Sequence, residues 1–183
     1  RVLNIPLDAL RLKDQIQAAA RADTPGREVI QEYSRRIYDG DYDLNEVLIG
    51  VLETVQQLGP FDRALFALVD ATTNVIHGRL GVGENVDSLS RAFQFPLSLR
   101  GGPIALSIMR KQDLFRFGHN ELTAFREELG ALNFAMCPVV VDGVVLGCLF
   151  CDRKNPAVLP AQAQQLLGEC RDVAALAVKR KRA

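Results

Sequence analysis

The stretch M-C-P-V-V-V-D-G-V-V-L-G-C-L-F-C-D-R-K, residues 136–154, decides how the rest of the chain is read. Asp142-Gly143 between two valine runs is the strongest short-range signal for a β-hairpin, because both central positions of the favoured two-residue turn need positive φ. Two antiparallel strands follow, over 132–141 and 144–152. Counting outward from the turn pairs Val141 with Val144, Val140 with Val145, Val139 with Leu146, Pro138 with Gly147 and Cys137 with Cys148. Since side chains alternate, Cys137 and Cys148 then share a face with Val139, Val141, Val144, Leu146 and Phe150. Cys151 joins Val145, Gly147 and Leu149 on the other. Opposed α-carbons about 5.5 Å apart allow a Cys137–Cys148 disulfide without demanding one. In a reducing compartment both are expected to be buried thiols packing as small hydrophobes, with a redox pair as the alternative.

Outward from the hairpin, the period of the apolar residues assigns the other elements. Residues 159–182 carry Ala163, Leu166, Leu167, Cys170, Val173, Ala174, Ala177 and Val178 as one helical stripe. Upstream, Asp43-Leu44-Asn45-Glu46 opens a helix with a capping-box pattern, and Leu44, Val47, Leu48, Val51, Leu52, Val55 and Leu58 face one way until Gly59-Pro60 stops it. An earlier helix starts at Thr24-Pro25, uses Val29, Ile30, Tyr33 and Ile37, and ends at Asp39-Gly40. The unbroken run Ala64 to Val69 reads as a central strand, Val75 to Leu80 as its neighbour, Gly81 to Asn85 as a loop, and Phe93 to Leu97 as a further strand. Gly101-Gly102-Pro103 starts a helix through Ile104, Ala105, Ile108 and Met109. Asn120 caps another, packed by Leu122, Phe125 and Leu129 and closed by Gly130. The pattern is α+β, an antiparallel sheet with helices on its faces.

Composition narrows the class. The 183 residues suffice for one well-buried domain with helical arms. Apolar residues are 48% and charged residues 24%, and Lys+Arg and Asp+Glu both number 22, so no global field attracts nucleic acid or an anionic membrane. The run Lys179 to Arg182 reads as a solvated helix end that complements the helix dipole. No apolar window approaches a bilayer span and the start lacks a signal-peptide core, so a cytoplasmic location is expected. Without an initiating Met, the sequence is expected to be cut from a longer protein. The histidines, His77 and His119, sit in separate elements with no ligand-type spacing to the cysteines, so no metal is expected.

In its order of elements, the chain from Asp43 to Lys179 resembles the GAF sensor-domain family. Residues 137–152 are similar to that family's penultimate hairpin, with FDRALFALVD, GRLGVGEN and FPLSLRGGPIALSIMRKQDLF as further support. The resemblance implies a GAF-like central antiparallel sheet of five or six strands. The N- and C-terminal helices would lie on one face, and loops with short helices would roof a small-molecule pocket on the other. Residues 1–42 would be a helical arm or linker and 43–183 the domain. Such a domain is expected to be a non-catalytic regulatory module that binds a small molecule or a protein partner. It would act on an attached or neighbouring output domain through its terminal helices, and form a homodimer there.

Family chemistries can be compared by residue. Asn120, Phe125, Glu127 and Glu128 echo a cyclic-nucleotide signature, but Glu121 stands where a Lys is needed. No Cys-His dipeptide is present for a bilin. Cys137-Pro138 departs from the Cys-Asp-Ser segment of the free methionine sulfoxide reductases. The cofactor is therefore left unknown. Arg100 with Gly101 and Gly102, at a helix start offering free backbone donors, is the first candidate ligand contact. His77, Met109 and Phe115 are further candidates, each also readable as an ordinary surface or core residue. A ligand-free scaffold for protein interaction is the remaining alternative.

Overall fold

The structure, a computed structural model, describes residues 26–118, 129 and 133–183. Helix α1 (Arg27–Asp39) buries Ile30 and Ile37 and closes at Gly40, whose N–H reaches the Ile37 carbonyl at 3.2 Å. Its Thr24-Pro25 start lies outside the described residues. In α2 (Leu44–Leu58) the Asp43 carboxylate accepts the Glu46 N–H at 2.9 Å, satisfying a donor the first turn leaves free. The remaining elements are β1 (Arg63–Asp70), β2 (Val75–Gly83), α3 (Val86–Ala92), β3 (Gln94–Pro96), α4 (Gly102–Met109), β4 (Leu114–Arg116), β5 (Asn133–Val141), β6 (Val144–Arg153) and α5 (Ala161–Arg182). The helix expected from Asn120 to Gly130 falls on residues of which only Leu129 is described.

Six strands form one sheet in the order β3-β2-β1-β6-β5-β4, with every neighbouring pair antiparallel. The α+β fold with a central antiparallel sheet is thus as expected, including helices on both faces. On one face Ala64, Phe66, Ala135, Cys137, Val139, Leu149 and Cys151 meet the apolar stripes of α1, α2 and α5. On the other, Leu65, Ala67, Phe134, Met136, Cys148 and Phe150 pack against Leu89 and Phe93 near α3 and Ile104, Ala105 and Ile108 of α4. Among the described residues no helix is long and apolar enough to cross a membrane.

One local expectation is overturned and two elements are additional. Gly81 to Gly83 belong to β2 rather than a loop, since β1 continues opposite them as far as Arg63. The polar segment after them is helix α3, and β4 adds a short edge strand at Leu114–Arg116.

The cysteine pairing also differs from the expected register. The tight turn is present, with φ of 49° at Asp142 and 79° at Gly143, and Val141 does face Val144 and Val140 does face Val145. Beyond that Val139 faces Gly147, Pro138 faces Cys148 and Cys137 faces Leu149. Leu146 is an extra residue in β6, a β-bulge. A one-residue slip turns every following side chain to the opposite face. Cys137 therefore lies in the helix-side core with Leu149 and Cys151, whereas Cys148 lies in the opposite core with Phe150. The expected Cys137–Cys148 neighbour pair does not exist, because the sheet's own backbone separates the two thiols.

Candidate functional site

The face away from the terminal helices is built on aromatic rings. Phe93 meets Phe95 and Phe150 edge-on, with centroids 5.1 Å apart in each case, and Phe134 stacks on Phe150 at 5.3 Å. Helix α4 closes over this cluster through Ile104 and Ile108. Residues 119–128 and 130–132, in the stretch expected to help roof this face, lie outside the described residues.

The sequence-derived site residues are spread over the molecule. A short turn at Leu99–Gly101 precedes α4, where the Ser98 hydroxyl accepts the Arg100 N–H at 3.3 Å. Arg100 is exposed. A Cβ on Gly101 would collide with the Pro96 carbonyl and lie 2.5 Å from Ala105 Cβ, so close packing accounts for this glycine. Met109 ends the same helix, about 12 Å further along it, and is exposed. His77 lies on β2 beside Leu68 and Gln94, in an open depression of about 340 Å³ that also contains Asp70, Arg79, Ser90 and Arg91. Phe115 is on β4, at the far edge of the sheet, and packs into the helix-side core. The alternation along β4 accounts for that direction, since Phe115 pairs with Ala135, whose side chain points to the same core. Arg100, Gly101 and Gly102 thus stay together, whereas His77, Met109 and Phe115 do not join them.

All four cysteines are buried free thiols. Burial pushes the Cys137 thiol up to about 12, the Asp113 carboxylate beside it adds to that, and Arg171 opposes it. Arg171 itself holds Asp113 through Nη1 at 2.9 and 3.1 Å. Burial likewise raises Cys170 to about 12 and raises Cys148 and Cys151. None of these groups has thiolate character near neutrality, which is what nucleophilic or redox-sensing cysteines need. Among the described residues no group of three or more His, Cys, Asp or Glu side chains is arranged to hold a metal ion.

A polar cluster outside the sequence-derived candidates fastens one end of the sheet. Arg63 donates to both Asp152 oxygens, through Nε at 2.9 Å and through Nη2. The Asp62 carboxylate accepts the Lys154 N–H at 2.7 Å. Asn133 accepts the Gly118 N–H at 3.0 Å and donates to the Lys154 carbonyl at 3.2 Å. Arg153 reaches the Ala157 carbonyl and lays its guanidinium 4.9 Å from the centre of the Phe117 ring. The available signal was the charged run Asp152-Arg153-Lys154 ending an apolar strand. These groups tie the starts of β1 and β5 to the end of β6 and to the segments that follow β4 and β6.

A six-stranded antiparallel sheet between terminal helices and a layer of short helices places the chain in a class of small two-faced α+β domains. The family model for the GAF domain matches residues 43–178, and the chain belongs to that family. GAF domains are a family of sensory and signalling modules.

Solved structures agree on the fold. A methyl-accepting chemotaxis protein, residues 122 to 287, aligns with TM-score 0.64 at 21% identity, over 83% of this chain and 95% of that one. The GAF domain of a phosphoenolpyruvate-protein phosphotransferase from Coxiella burnetii gives 0.68 at 15%, covering 86% and 95%. The free methionine-R-sulfoxide reductase from Neisseria meningitidis, solved with its substrate, gives 0.65 at 15%, covering 86% and 91%. No curated protein sequence matches the chain. At these identities the structural likeness carries the fold and not the chemistry.

Proposed function

We propose that this domain is a non-catalytic regulatory module in which a small molecule or protein partner, bound at the sheet, alters the terminal helices α1, α2 and α5. Those helices act on a second copy or an attached output domain. The observation that carries the reading is a shared core. Leu166, Leu167, Cys170, Val173 and Ala174 of α5 pack in one cluster with Ala135, Cys137, Val139, Leu149 and Cys151 of β5 and β6. The Tyr42 hydroxyl also donates to the Ala177 carbonyl at 2.8 Å, fixing the entry to α2 against α5. A close-packed interior does not absorb strand movement locally, so a shift in β5 or β6 is passed to α5.

Val29, Ile49 and Leu58 stay exposed on α1 and α2, which supports a second copy as one receiver of that movement. Sedimentation velocity over a wide concentration range is expected to show reversible dimers that Ile49→Lys weakens. A parent protein that stays monomeric throughout removes the dimer from the proposal.

A further inference from the structure

A cavity of about 500 Å³ opens between the far end of the sheet, α2 and the last turns of α5. Its size falls within the range of about 300–1,000 Å³ found for small-molecule sites. It lies on the terminal-helix side, away from the aromatic cluster. Leu48, Leu68, Val139, Leu146 and Val178 make it apolar, and Arg79, Lys181 and Arg182 stand along it with no acidic residue in the lining. Among the described residues none of these three cations is paired with a carboxylate, although Lys181 lies 5.2 Å from the centre of the Tyr42 ring.

Two backbone irregularities converge on this cavity. In β2, Leu80 pairs with Phe66 and Gly78 with Ala67, so Arg79 is an extra residue. In β6, Val145 pairs with Val140 and Gly147 with Val139, so Leu146 is one too. Both bulges flank β1, that of β2 between the partners of Phe66 and Ala67 and that of β6 next to Gly147, the partner of Leu68. Bulges re-aim single side chains, and here both extra residues line this cavity, Arg79 at its border with the depression that holds His77 and Asp70.

We propose that this cavity binds an amphipathic carboxylate, a fatty acid of medium chain length, with its carbon chain against Leu68, Val139 and Leu146 and its carboxylate among Arg79, Lys181 and Arg182. An apolar interior with a few convergent cations suits that ligand, because the chain leaves water while the head group finds charge-assisted hydrogen bonds. The inference concerns binding alone and stands whether or not the helices transmit a signal.

Isothermal titration of the full chain with sodium decanoate below its micelle concentration tests it, with decyltrimethylammonium as the charge-reversed control. Saturable one-site binding of decanoate and not of the control is expected. Arg79→Ala, at an exposed side chain, weakens it about tenfold. Leu146→Trp fills the cavity and abolishes it, with circular dichroism checking that the variant is folded. Equal binding of both amphiphiles, no saturation, or an Arg79→Ala variant as tight as the parent overturns the proposal. So do amide shifts that map to the Phe93 and Phe150 face, or lining shifts that follow protein concentration instead of decanoate, which would mark a second copy as the occupant.

Discussion

Gly147→Ala is a one-methyl change whose sign depends on how closely β1 and β6 approach. Gly147 sits just after the bulge residue, opposite both Val139 and Leu68. A Cβ there would overlap the Ala67 carbonyl oxygen and lie 3.0 Å from Ala67 C and 3.2 Å from Leu68 Cα. These are backbone atoms of the adjacent strand and have no rotamer through which to retreat. Intrinsic propensity favours alanine by about 0.5–1 kcal/mol. Overpacking opposes it by about 1–3 kcal/mol, and each ladder hydrogen bond stretched as the strands part adds about 1 kcal/mol. Sterics win, by about 1–3.5 kcal/mol net with one bond stretched, which for a chain of this size lowers Tm by about 2–14 °C. Thermal unfolding followed by circular dichroism measures it. An alanine variant as stable as the parent would mean that Gly147 does not press on Ala67, and the strand placement argued from it would be wrong.

Other perturbations probe separate parts of the fold. Arg63→Ala leaves Asp152 buried without its partner, at a cost of about 3–5 kcal/mol near neutrality. Burial raises the Asp152 carboxyl above its ordinary 3.8, so the folded state holds its proton more tightly than the unfolded chain. The loss in Arg63→Ala should therefore shrink as pH falls through the raised folded value towards 3.8, and denaturant titrations showing the same deficit at every pH would contradict this. Native-state alkylation followed by mass spectrometry should leave all four cysteines unmodified, and mild peroxide should yield no Cys137–Cys148 disulfide; finding that disulfide would overturn the face assignment. Asp43→Ala removes the cap on α2 and should cost about 1 kcal/mol, read as a drop in Tm of about 2–4 °C. No change in Tm would mean that water replaces the cap without loss.

The sequence made long periodic elements plain and short ones obscure. The stripes of α2 and α5, the run in β1 and the Asp142-Gly143 turn each carry several residues that agree, so their places were readable to within a few positions. Helix α3 spans two turns, of which only Leu89 is fully buried, too few positions to reveal a period. The three-residue strand β4 has the same difficulty. The bulge at Leu146 left no mark because the valines of β5 and the valines and leucine that follow the turn in β6 suit either register. Which phase β6 takes beyond the turn is set by its pairing with β1, a contact more than seventy residues away in the chain. The candidate site was less legible for the same reason. Arg100, Gly101 and Gly102 are adjacent in sequence and remain so in space, whereas the Arg63–Asp152 pair and the cavity near Arg79 and Leu146 come from residues far apart in the chain.

The faces of β6 determine which side chains reach the terminal helices and which meet the aromatic cluster, and cross-strand nuclear Overhauser effects along the hairpin measure this directly. Contacts linking Cys137 with Leu149 and Pro138 with Cys148 are predicted. Contacts linking Cys137 with Cys148 as direct cross-strand partners would show an unbulged hairpin and contradict the account.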